Sequence, residues 1–178
     1  GEFLVTGAAG GVGTVAISLL AARGVKVIAS TGRVSEEEFL MGLGASGIID
    51  RGTLSTQGKM LQAERWSGGV DSVGSHTLVN ALAQTVYGGA IAACGLAGGA
   101  DLPGSVMPHI LRSVALLGVD SVMCPQARRA EAWALLNRDL DRKKLAALTT
   151  VAPMADLPKL AEEIVAGRIR GRTVIEIG

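Results

Sequence analysis

Aromatic side chains are the scarcest class in this chain. Phe, Trp and Tyr together make up 3% of its 178 residues, and there is one tyrosine. That shortage argues against the aromatic platforms on which single-stranded nucleic acids stack. Cysteine is nearly absent too. The two present, Cys94 and Cys124, lie far apart, with no CxxC and no Cys/His cluster. They give no metal-site signature and fit a reducing cytoplasm. Neither sign of charge is in excess, since 17 Lys and Arg face 16 Asp and Glu. A basic nucleic-acid surface and an acidic tail are thereby excluded. Gly or a charge interrupts every apolar run well short of the ~20 residues a membrane span needs. No signal peptide is visible, although the chain starts inside a predicted strand, as one that has lost its true amino terminus would. The expected location is cytoplasmic, with neither nucleic acid nor membrane as partner.

Glycine and aliphatic residues are what the chain has in quantity: 25 Gly, and 48% hydrophobic residues overall. Such a composition supports one domain with a sizeable core. Short β-rich runs alternate with helical patterns from end to end. Strands are predicted at Phe3–Thr6, Val25–Ala29, Gly47–Ile49, Val70–Val73, Ala90–Ala93 and Ser113–Val119, with a late strand at Thr173–Ile177. Helices are predicted at 11–23, 35–43, 54–65, 76–86, 126–138 and 156–166, and a loop rich in Gly and Pro follows the fifth strand. Continuously apolar strands separated by helices imply a parallel sheet covered on both faces. The fold class is therefore α/β: a Rossmann fold, doubly wound, of about six strands. Such sheets bind ligands at the carboxyl ends of their strands.

The segment VTGAAGGVG (5–13) follows the first strand and opens the first helix. That is the context a dinucleotide fingerprint requires. In Ala8-x-Gly10-x-x-Gly13, Ala stands in the first glycine slot. Gly10 lets backbone approach a pyrophosphate, and Gly13 lets the helix pack closely on the sheet. Free N–H groups at the helix start then face the phosphate charge. Ala9, Gly10, Gly11, Val12 and Gly13 are the cradle candidates. An NAD-binding fold usually places an acid about 20 residues on, at the end of the second strand, to hold the ribose. Here that corner reads Ser30-Thr31-Gly32-Arg33, and no acid occurs before Glu36. Hydroxyls and a guanidinium suit a 2′-phosphate. The expected cofactor is therefore NADP(H), held through Ser30, Thr31 and Arg33. Arg51, after the third strand, is a second candidate cation.

Residues 6–13 also satisfy the TGxxxGxG pattern of short-chain dehydrogenases/reductases. Those enzymes carry a Tyr-x-x-x-Lys pair for proton transfer. Here Ile91 stands four residues after the single tyrosine, Tyr87, so the pair is absent. Further segments point elsewhere: LGASGIIDR (43–51), GVDSVG (69–74), YGGAIAACGLAGG (87–99), VMPHILRSVALLGVDSVM (106–123) and GRIRGRTVIEIG (167–178). With VTGAAGGVG and STGR they resemble medium-chain dehydrogenases/reductases of the quinone-oxidoreductase type, nearest to the YhdH/AcuI-like acrylyl-CoA reductase group. The resemblance covers essentially the whole chain.

It implies a zinc-independent, NADPH-using enzyme that reduces the C=C bond of an enoyl thioester such as acryloyl-CoA. A quinone or enone reductase without CoA preference and a non-catalytic NADP-binding module are the alternatives. Val73 and Gly74 join the cofactor-binding candidates. Cys94, Gly95 and Leu96 are implied beside the nicotinamide or its ribose, and Asp120 and Ser121 near the nicotinamide amide. By itself Cys94 also reads as a small buried hydrophobe, and Asp120-Ser121 as a strand-ending turn. Family members begin with a GroES-like domain of roughly 120–150 residues, comparable to a typical domain, which supplies most of the substrate pocket. Residues 1–178 are thus expected to be the cofactor domain, binding NADPH with little or no turnover. No catalytic proton donor is identifiable, and His76 and His109 read as packed or surface histidines. The Ser113–Val119 strand would end the sheet, and in related reductases that edge pairs with its twin, so a homodimer is expected there.

Overall fold

A computed structural model describes residues 1–177. Strand β1 (Glu2–Val5) shows why the sheet is covered twice: Leu4 and Val5 point to opposite faces, and both are buried. A loop leads to helix α1 (Gly11–Ala22), then β2 (Lys26–Thr31), α2 (Glu37–Leu43) and β3 (Gly47–Asp50). The chain continues through β4 (Trp66–Asp71), α3 (Ser75–Ala83), β5 (Thr85–Ala93), α4 (Met107–Arg112) and β6 (Ala115–Gly118). These six strands form one sheet in the order β3-β2-β1-β4-β5-β6, every pair parallel. The order reverses between β1 and β4, and that crevice is where such sheets take ligands. One core lies under α3 around Leu4, Trp66, Leu82 and Ile91; the other lies under α1 and α2 around Val5, Ile17, Val27 and Leu40.

The rest of the chain forms α5 (Gln126–Asp139), α6 (Arg142–Ala147), β7 (Thr149–Pro153), α7 (Leu157–Val165) and β8 (Arg172–Glu176). Strands β7 and β8 pair in parallel as a separate two-stranded sheet. Helix α6 starts on Asp141, whose carboxylate accepts from the N–H groups of Lys143 and Lys144. This cap lowers the Asp141 pKa.

Three expectations need correction. The helix expected at 54–65 does not form. After a short 3₁₀ turn at Arg51–Thr53, the backbone is irregular up to Arg65. Side chains satisfy it in place of a helical ladder. Asn80 Nδ2 donates to the carbonyls of Leu54 (2.8 Å) and Thr56 (2.7 Å), and Arg112 donates to that of Gln62 (2.8 Å). Second, β4 begins at Trp66 and β5 at Thr85, several residues before the apolar runs that announce them. Third, α4, α6 and β7 stand in stretches expected to be loop or unassigned.

Candidate functional site

Because the main sheet is parallel, all its carboxyl ends open on one side. The cofactor candidates lie at these strand ends and in the segments that directly follow them, with Ser30 and Thr31 closing β2 and Gly11 to Gly13 opening α1. The glycine loop turns at Gly7, whose φ of +57° suits glycine alone without strain. Gly10 N–H donates back to Gly7 C=O (2.9 Å), and Ala8 N–H donates to Ser30 C=O (3.2 Å). Helix α1 then starts at Gly11 with no side-chain cap and no acid in its first turn. The Gly11, Val12 and Gly13 N–H groups therefore lack an intrahelical acceptor, and the helix dipole adds positive potential. Gly13 permits this approach: a Cβ there would lie 2.7 Å from Ala8 Cα. The amino end of α1 thus presents free backbone donors, the kind of feature to which anions bind.

At the end of β2, Ser30 and Thr31 are buried, at 1% and 5% exposure. Ser30 Oγ has no partner among the described residues, and Thr31 Oγ1 accepts from Arg33 N–H (3.2 Å). Both hydroxyls thus lie inside the corner, and its exposed charge comes from Arg33 and Arg51. Arg51 comes back over Gly32, where a Cβ would lie 2.8 Å from the guanidinium carbon. Asp50, next to it, caps the 3₁₀ turn by accepting from Gly52 N–H (2.6 Å). Arg33 is already engaged: its guanidinium donates to the carbonyls of Arg168 (2.9 Å) and Ile169 (3.1 Å).

A buried carboxylate holds the middle of the crevice. Asp71 is 0% exposed. One oxygen accepts from Thr6 Oγ1 (2.6 Å) and the other from Gly74 N–H (2.8 Å). It thereby pins the start of the glycine loop to the turn after β4, where Gly74 and Ser75 both have positive φ. The loop after β5 is laced to the same turn. Cys94 N–H donates to Asp71 C=O (2.8 Å) and Gly98 N–H to Val73 C=O (2.7 Å). Cys94 Sγ also faces Asp71 C=O at 3.2 Å. Burial, and then the Asp71 charge, push the thiol pKa up, so Cys94 stays a neutral thiol. Gly95 packs on Ser72, and Leu96 projects from the loop, 65% exposed. Val119 N–H reaches Ala93 C=O (2.9 Å), which brings Asp120 and Ser121 beside Cys94. Asp120 uses its carboxylate on its own turn, accepting from Val122 and Met123 N–H, and Ser121 C=O accepts from Arg129.

Sequence reasoning missed the strap at 167–172. Gly171 N–H donates to Ala9 C=O in the glycine loop (2.8 Å), and the Arg172 guanidinium lies over Gly11. A cation at a helix amino terminus opposes the dipole, and an anion between the two would reconcile them. The available signal was the alternation of Arg168, Arg170 and Arg172 around Gly171. His76 stands in the first turn of α3, while His109 Nδ1 lies 2.7 Å from Val114 C=O. Neither joins the crevice residues in a hydrogen-bonded set.

The family described as zinc-binding dehydrogenase matches residues 11–138. Acrylyl-CoA reductase AcuI of Ruegeria pomeroyi is 47% identical over 99% of the chain and 54% of that protein. The putative quinone oxidoreductase YhfP of Bacillus subtilis is 42% identical over 99% of the chain and 54% of that protein. A solved YhfP structure with NAD bound overlays 99% of the chain and 54% of its own, with TM-score 0.93. The yhdH oxidoreductase of Salmonella enterica, solved in complex with NADP, overlays the whole chain at TM-score 0.97 and 48% identity. The overlay covers 55% of the Salmonella chain. The protein thus spans about half the length of the relatives it matches.

Proposed function

The chain belongs to the zinc-binding dehydrogenase family, and on that premise we propose that it is the NADP(H)-holding domain of a reductase acting on an enoyl thioester such as acryloyl-CoA. The observation that carries the cofactor reading is the uncapped amino end of α1, with its close approach at Gly13. These residues fit a dinucleotide: Ala9 to Gly13 take the pyrophosphate from one side, and Arg172 meets it from the other. Arg33 and Arg51 take the 2′-phosphate, with Ser30 and Thr31 shaping the corner. Val73, Gly74, Cys94, Gly95, Leu96, Asp120 and Ser121 line the opposite end of the crevice mainly through backbone. When bound, NADPH supplies the hydride that saturates the activated double bond. The chain's own contribution is to orient the cofactor and present one face of it.

The family's description implies zinc, and the residues here do not fit a zinc site. Among the described residues no three His, Cys, Asp or Glu side chains gather. Among the described residues no helix is long and apolar enough to cross a membrane.

In this reading a GroES-like substrate domain accompanies residues 1–178 in a longer, cytoplasmic protein. Two copies pair through β6. This strand has a free edge beyond β5, and Leu117 and the following Val119 are both 52% exposed. A monomer in light scattering at high concentration would count against that pairing. A quinone acceptor without CoA preference is the second reading, favoured by the likeness to YhfP. Following NADPH oxidation by the full-length protein, with acryloyl-CoA and separately with a quinone, separates the two. Preferential turnover of acryloyl-CoA is expected. Turnover of the quinone alone favours the second reading, and NADPH binding without turnover of either would leave a cofactor-binding module.

A further inference from the structure

An acid stands just behind the cation proposed to receive the 2′-phosphate. Glu36 lies at the end of the 3₁₀ turn Val34–Glu36, three residues after Arg33, and its side chain is 12% exposed. Left alone, its carboxylate would do two things to the corner. It would draw the Arg33 guanidinium into an i,i+3 ion pair. It would also repel a phosphate dianion brought to that guanidinium.

In the structure the carboxylate is shared. Glu36 Oε1 makes a long ion pair with Arg33 Nη1 (3.8 Å), and Glu36 Oε2 makes a shorter one with Arg170 Nη1 (3.2 Å). Arg170 is itself fixed: its guanidinium stacks over the Phe39 ring, 4.6 Å from the centroid. Cation–π stacking of this kind favours a planar guanidinium over a mobile ammonium. Arg33 keeps its long ion pair with the shared Glu36 and directs its N–H groups at two neutral carbonyls, those of Arg168 and Ile169. Those carbonyls orient the guanidinium without neutralising it. With Arg170 present, Arg33, Glu36 and Arg170 leave one net positive charge beside Arg51; without it the remaining pair, Arg33 and Glu36, would leave none.

We propose that Arg170 is a specificity-determining positioning residue. By pairing with Glu36 and stacking on Phe39, it offsets the carboxylate beside Arg33, so that the corner keeps the net positive charge that selects a 2′-phosphorylated adenosine. The proposal rests on the reading that this corner binds NADP(H), and it deepens that reading by naming what sets the preference. Arg170 touches Glu36 and acts through it.

The test uses the full chain and two adenosine probes, adenosine 2′,5′-bisphosphate and 5′-AMP, titrated calorimetrically at low salt. Wild type should bind the bisphosphate more tightly. Arg170→Gln should weaken the bisphosphate about fivefold to tenfold and leave 5′-AMP unchanged, because only the 2′-phosphate senses the freed carboxylate. Arg170→Lys should keep most of the preference. Glu36→Gln in the Arg170→Gln background should restore the bisphosphate to within about twofold of wild type. A loss shared equally by both probes would make Arg170 a merely structural residue and overturn the proposal. So would an Arg170→Gln variant with an unchanged ratio, or a double variant without rescue. A wild-type chain that does not distinguish the probes would instead overturn the NADP(H) reading itself, and the proposal with it.

Discussion

Residues 2–118 and residues 119–177 are built on different terms. The first region carries its own interior. Every member of the two buried core clusters comes from it except Leu148. In the second region, α5, α6 and α7 contain no buried residue. It exposes Trp133 (65%), Val151 (62%), Ile164 (63%) and Val165 (89%). Its attachments are few and mostly polar. Gly171 reaches Ala9, the strap carbonyls take the Arg33 guanidinium, Lys144 Nζ donates to Leu43 C=O (2.8 Å), and Asp139 pairs with Arg23. The difference teaches that the crevice proposed to hold the cofactor is shaped by a sheet that carries its own cores. The tail adds a few charges to that crevice and turns its apolar surface outward. The chain spans about half the length of the relatives it matches.

The sharpest way to break this contrast is at the cradle. Gly13→Val sets a side chain against Ala8 backbone, where a Cβ alone would come within 2.7 Å of Cα. Backbone cannot swing aside as a flexible side chain can. The variant should lose about 3 kcal/mol in chemical denaturation and bind NADPH too weakly to measure by calorimetry. The next effect should come from Leu148, the tail residue that belongs to a buried core cluster. Leu148 is 2% exposed, and Leu148→Ala should cost about 2 to 4 kcal/mol. A shift well below that range would mean the tail is less coupled to the sheet than its packing implies.

A third effect is one of pH. Burial and the neighbouring Asp71 charge raise the Cys94 pKa in the folded protein. The stability linked to this thiol is therefore complete below its ordinary value and is lost as pH rises through the raised one. Alkylation of Cys94 should follow the same course, its rate rising only at a pH above that of a free thiol peptide. A profile that coincides with the peptide's would deny the burial assigned to the loop after β5. The smallest effect should be at Trp133, where exchange for Ser should change stability by less than about 0.5 kcal/mol, although Trp is the largest side chain available.

The contrast also separates what the chain discloses as sequence from what it does not. Continuous apolar strands, and glycines placed between a strand and a helix, are local patterns, so the doubly wound sheet and the placement of the glycine loop between β1 and α1 were legible. The sequence named Arg51 after the third strand, and its return over Gly32 follows from the parallel pairing of β2 and β3. The irregular stretch after Thr53 was not, because Asn80 and Arg112, distant in sequence, satisfy its backbone. The strap was hidden more deeply. Arg170 meets Glu36 across 134 positions, and Arg172 reaches Gly11 from the far end of the chain. No spacing rule connects residues so far apart. They become a site only once β8 is drawn against the glycine loop by the Gly171–Ala9 hydrogen bond.

Calorimetric titration of NADPH and NADH onto the 178-residue chain tests the central claim most directly. A self-supporting crevice should bind one NADPH per chain, more tightly than NADH, without any further domain. Absence of saturable NADPH binding by the folded chain, or equal affinity for the two cofactors, would contradict it.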